Sequence, residues 1–114
     1  MEVRNLSVIS SAGVAKAWCQ FSTAAGVVTL DNSHGVSSIT DNGVGDFTVN
    51  FTTAFANSNY ASALSARGAG VAAFVMEQHD SPVRTVSANR VYCLDAAFGT
   101  HDPSFYSAIY YGDQ

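Results

Sequence analysis

The sequence predicts an all-β fold, an antiparallel β-sandwich of about eight to nine short strands, and three observations predict it. Short segments of alternating apolar and polar residues follow one another, with turn residues every ten or so positions. No stretch joins the helical apolar period to helix caps. One segment, Val36 to Phe51, sets an Asn-Gly pair between two alternating runs, the pattern of a β-hairpin. With 114 residues the chain has the size of one domain and can bury roughly two-thirds of its unfolded surface.

Residues 1–13 read as an N-terminal arm or linker, and 14–114 as the sandwich domain. The arm holds a short apolar run in which Leu6, Val8 and Ile9 are the candidate anchoring residues, able to add a strand to a partner's open sheet edge. The alternative is an ordinary first strand of the sandwich. Val14 to Phe21 alternates, with Ala15, Ala17, Cys19 and Phe21 on one face and Lys16, Trp18 and Gln20 on the other. Val27 to Leu30 and Gly35 to Thr40 make two further strands, separated by a turn at Asp31, Asn32 and Ser33.

The pair Asn42-Gly43 supplies the positive φ angles of a tight hairpin turn. Beyond it Phe47, Val49 and Phe51 share the core face, while Thr48, Asn50 and Thr52 share the wet one. Tyr60 to Arg67, Val71 to Gln78, Arg84 to Ala88, Val91 to Ala96 and Phe105 to Tyr111 follow as strands. The Ala-rich stretch from Ala61 to Ala73 is read as strand rather than helix, because Gly68 and Gly70 interrupt it and Ser alternates with apolar residues.

Charged residues make up only 12% of the chain against about a quarter in ordinary domains. A surface of Ser, Thr, Asn and Gly hydrates well but repels copies of itself weakly, so a symmetric homo-oligomer is expected. The net charge of −4 and the scatter of Arg4, Lys16, Arg67, Arg84 and Arg90 leave no basic stripe, which argues against nucleic acid. No apolar run has the length of a membrane span, so no membrane insertion is expected. Glu2 and Arg4 stand where an export signal would carry a basic start, and an unexported product is expected.

Motifs for chemistry are sparse. There is no G-x-S-x-G elbow for a nucleophile, and Cys19 and Cys93 lack metal or redox spacing and read as buried thiols. His34, His79 and His101 stand at turn positions without ligand pairing, so no metal site and no cofactor are expected. Asp41 and Asp46 flank the glycine turn, but plain turn hydrogen bonding accounts for them better than calcium. Gly43 and Gly45 do not form a phosphate loop, since no Lys-Ser/Thr follows. Asn5-Leu6-Ser7 and Asn50-Phe51-Thr52 match the glycosylation triplet, a frequent chance pattern. What remains is the aromatic set Trp18, Tyr60, Phe105, Tyr106, Tyr110 and Tyr111, which suits core and subunit interface or, as the sharper reading, stacking on a sugar.

The block from Ala15 to Phe21, the block Val36-Ser37-Ser38-Ile39-Thr40-Asp41-Asn42-Gly43-Val44-Gly45-Asp46-Phe47-Thr48-Val49-Asn50-Phe51-Thr52-Thr53-Ala54, and Asn57 to Tyr60 together resemble a module of tailed-bacteriophage tail-fibre and related virion proteins. Asp102-Pro103 through Tyr110-Tyr111-Gly112-Asp113 resembles that module's close. The resemblance implies a homotrimer without enzyme activity, localised to the virion after assembly in the host cytoplasm. Its implied partners are further copies of itself, other virion proteins, and a host surface glycan or protein. It assigns no receptor-binding residues.

The expected function is therefore a virion structural protein, a tail-fibre-like exposed module for host attachment or tail assembly. The rival within the same class is a capsid head decoration protein. A small polysaccharide hydrolase is the rival from another class; it needs paired acids in a groove.

Overall fold

The structure is a computed structural model that describes residues 13–67, 84–95, 97, 99–100 and 102–114, and the backbone of 74–77. Within them lie β1 (Ala15–Ala24), β2 (Val27–His34), β3 (Val36–Gly43), β4 (Asp46–Phe51), β5 (Ala61–Arg67), β6 (Phe74–Glu77), β7 (Ala88–Leu94) and β8 (Phe105–Tyr111). They form two antiparallel four-stranded sheets, a front sheet ordered β2-β1-β8-β5 and a back sheet ordered β3-β4-β7-β6. The fold is all-β, and the Ala-rich stretch at its described residues is strand β5.

Period-two alternation sends one face of each sheet into a common core. β1 contributes Ala17, Cys19 and Phe21, β4 contributes Phe47, Val49 and Phe51, β7 contributes Val91 and Cys93, and β8 contributes Tyr106, Ala108 and Tyr110. The sheets meet through aromatic contacts. Phe21 of the front sheet stacks on its neighbour Tyr106 at 4.4 Å, and Phe47 of the back sheet meets both edge-on at 5.5 and 4.8 Å. At the other end Phe51 packs edge-on against Phe55, Tyr60 and Tyr110. Each such pair contributes about 0.5–1.5 kcal/mol beyond the area it buries. The buried Asn89 side chain accepts a hydrogen bond from the Tyr110 hydroxyl at 2.9 Å, so the back sheet is also tied to the front sheet by a polar contact.

Three local expectations are corrected. Asp31, Asn32 and Ser33 do not form a turn: β2 runs through them to His34, and a register shift opposite Gln20 and Phe21 leaves Asp31 as the extra residue of a bulge. The chain crosses to the back sheet at Gly35 instead. The hairpin corner is not Asn42-Gly43 but Val44-Gly45, closed by the pair Gly43 and Asp46. Gly45 has φ +67° and its N–H donates to the Asp102 carboxylate at 2.7 Å, while Gly43 N–H donates to Asp41 at 3.0 Å. Side chains thus move the corner two residues on from the Asn-Gly pair. Arg84 to Ala88 is not a strand either, because the Thr85 hydroxyl accepts from the N–H groups of Ser87 and Ala88 and bends the chain. β1 and β7 also differ in their ends from the expected segments.

Candidate binding surface

The two sheets turn opposite kinds of face to solvent. On the back sheet Asn50 donates to Ser38 and Thr40 at 3.1 and 2.9 Å, and Asn42 donates to Thr48 at 2.8 Å. Arg90 forms a fork on the Asp46 carboxylate at 2.8 and 2.6 Å. This cross-strand ladder spends its donors and acceptors on itself.

The front sheet is different. Directly paired residues in antiparallel strands share a face, so the register aligns outward rows across β1, β8 and β5. One row is Ser22, Phe105 and Arg67; the next is Gln20, Ser107 and Ser65; then come Trp18, Ile109 and Ala63. Ala15, Tyr111 and Ala61 close the face; Ala15 lies here and not on the expected core side because Lys16 is the extra residue of a bulge in β1. Trp18, Phe105 and Tyr111 are the aromatics that face outward here, whereas Tyr60, Tyr106 and Tyr110 belong to the core. The aromatic set therefore divides between core and surface.

At the Phe105 end lies an open groove of about 200 Å³ lined by Gln20, Ser65, Ala66, Arg67, Phe105 and Ser107. The Arg67 guanidinium lies over the Phe105 ring, 4.3 Å from its centroid. Among the described residues it meets no acceptor, and the side chains of Gln20, Ser65 and Ser107 form no hydrogen bond. The groove's end is held by two backbone contacts and one side-chain contact: Ser104 N–H donates to Arg67 O at 2.8 Å, Thr23 N–H to Ser104 O at 3.3 Å, and the Thr23 hydroxyl to Pro103 O at 2.5 Å. Among the described residues this frame presents one cation and three uncommitted polar side chains.

Leu6, Val8 and Ile9, with His79, His101 and Asn5, lie outside the described residues. His34 ends β2 opposite Trp18 rather than sitting in a loop. Asp46 is held by Arg90 and Asp41 by Gly43, so each carboxylate serves the hairpin. Among the described residues no group of three His, Cys, Asp or Glu is placed to hold a metal. Cys19 and Cys93 are free, buried thiols on opposite sheets. Burial pushes the Cys19 thiol up to about 12 and raises Cys93 as well.

Nothing local in the sequence marks Ser65 and Ser107, and Arg67 stands out there only as one of five scattered cations. Only the pairing of β8 with both β5 and β1 brings them to Gln20. No family model, curated protein or solved structure matches the chain.

Proposed function

We propose that the chain is a β-sandwich protomer of a homotrimeric structural protein in a tailed-phage particle, a tail-fibre-like module exposed for host attachment. It acts by binding and assembly rather than catalysis. The observation that carries this reading is the meeting of segments that resemble the tail-fibre module and lie far apart in sequence. The block around Trp18 becomes β1, the Val36–Ala54 block becomes the β3–β4 hairpin, and the closing block carries β8. Asp102 of the closing block caps the hairpin corner at Gly45, and Phe21, Phe47 and Tyr106 of the three blocks pack in one cluster. Residues that resemble one module thus build one structural unit. The rows Trp18-Ile109-Ala63 and Ala15-Tyr111-Ala61 on the outer face of the front sheet support self-association, because copies can meet on them away from the Arg67 cation.

The test is gold-labelled antibody microscopy of purified phage particles from the source of the sequence. Label at the tail tip is the expected outcome. Label spread over the heads would replace attachment with capsid decoration, and particles without label would overturn the virion reading.

A further inference from the structure

The groove on the front sheet is chemically specific. Among the described residues its single charge is Arg67, and no carboxylate lines it. Arg84 is bound to the Ser58 and Tyr60 carbonyls, and Arg90 is paired with Asp46. Arg67 is held only by the Phe105 ring among the described residues, a contact that orients the guanidinium plane without consuming its N–H donors. An oriented guanidinium fork matches a carboxylate through two parallel hydrogen bonds.

The rest of the lining defines what carries that carboxylate. Ser65 and Ser107 sit directly opposite one another, and Gln20 opposes Ser107 on its other side. Two hydroxyls and an amide in a row offer donors and acceptors suited to the hydroxyls of a sugar ring. The groove, at about 200 Å³, is smaller than the usual drug-sized pocket of about 300–1,000 Å³, and suits one ring rather than several. One face of Phe105 is taken by Arg67, so selection rests on the charge rather than on stacking with a neutral sugar.

We propose that this groove is a subsite for a single carboxylate-bearing sugar, such as a uronate at the end of a surface polysaccharide. Arg67 binds the carboxylate, and Gln20, Ser65 and Ser107 bind ring hydroxyls. This deepens the attachment reading by naming the ligand class, and it rests on that reading for its biological meaning.

The test is titration of the full chain with methyl glucuronide, methyl glucoside and inorganic phosphate, followed by amide NMR shifts. Methyl glucuronide is expected to bind in the millimolar range and to shift the amides of Gln20, Arg67 and Ser107. Methyl glucoside is expected to bind at least tenfold more weakly. Arg67→Met, at an exposed position, is expected to keep the spectrum of a folded protein and lose at least tenfold in glucuronide affinity, while Arg67→Lys recovers part of it. Equal binding of glucoside, tighter binding of phosphate than of glucuronide, or an Arg67→Met variant with full affinity would each overturn the proposal. So would the absence of any shift at about 50 mM glucuronide, well above millimolar affinity. Tail label with no glucuronide binding defeats the subsite alone, and glucuronide binding by a protein missing from particles defeats the virion reading alone.

Discussion

Cys19 and Cys93 show how burial alone sets the chemistry of a side chain. Each sits on an inward face, with 3% and 0% of its surface exposed, where a thiolate has little water to solvate it. Burial therefore favours the neutral thiol, and it raises the neighbouring Tyr106 hydroxyl in the same direction. An unfolded cysteine titrates near about 8.5. Between that value and about 12 the folded chain keeps a proton on Cys19 that the unfolded chain gives up. The native state binds more protons, so stability is full below the unfolded value and falls as pH rises. Urea unfolding is expected to give the same free energy at pH 7 and 8, then a loss of about 1.4 kcal/mol per pH unit from Cys19 alone above pH 9. Cys19→Ala is expected to make that slope shallower. A free energy unchanged up to pH 10.5 would contradict the burial argument.

At the scale of elements, Gly35 is the narrowest point of the chain path. It carries the chain from β2 in the front sheet to β3 in the back sheet with φ +69°. A Cβ there would collide with the carbonyl oxygen of Lys16 and press on Ala17 Cα at 3.2 Å. Both the backbone conformation and the space exclude a side chain. Gly35→Ala is expected to cost about 2–4 kcal/mol, from the left-handed conformation and from overpacking against β1. Denaturant unfolding reads the loss directly, and Gly26→Ala is the control, with φ +79° and nothing within 4 Å of its Cβ position. If the two variants lose the same amount, the crowding at Gly35 is unimportant.

These elements also show what was legible in the sequence. Phe47, Val49 and Phe51 announce a core face by their spacing, and all three are buried. The β3–β4 hairpin was visible from its glycine-rich middle, but its corner depends on Asp102, a residue 57 positions away. The bulge at Asp31 and the Thr85 turn rest on local hydrogen bonds that compete with the β pattern. The groove was invisible for a related reason: Gln20, Arg67 and Ser107 become neighbours only through strand order and register.

At the scale of the whole molecule, the front sheet's outer face divides along its strands. Phe105 and Tyr111 lie six residues apart on β8, about 20 Å in an extended strand, so the groove and the apolar rows occupy opposite halves. The apolar half holds Trp18, Ile109, Ala63, Tyr111 and Ala61, with Ile109 and Tyr111 39% and 41% exposed. Its rows across β1, β8 and β5 hold no carboxylate, with Lys16 and His34 at their edge, and three copies of this half can gather around a common axis without burying an unpaired acid. Sedimentation equilibrium is expected to give three times the protomer mass for the natural chain. Ile109→Glu is expected to give a single protomer mass with an unchanged β-type circular dichroism spectrum, because an unpaired carboxylate in the contact costs several kcal/mol. The groove half stays open in this arrangement, so the variant is expected to bind methyl glucuronide as the natural chain does. A natural chain that remains monomeric at about 100 μM, a stoichiometry other than three, or an Ile109→Glu variant that stays trimeric would rule out this half of the sheet as the trimer contact; a variant that loses glucuronide binding along with assembly would place the groove between subunits instead.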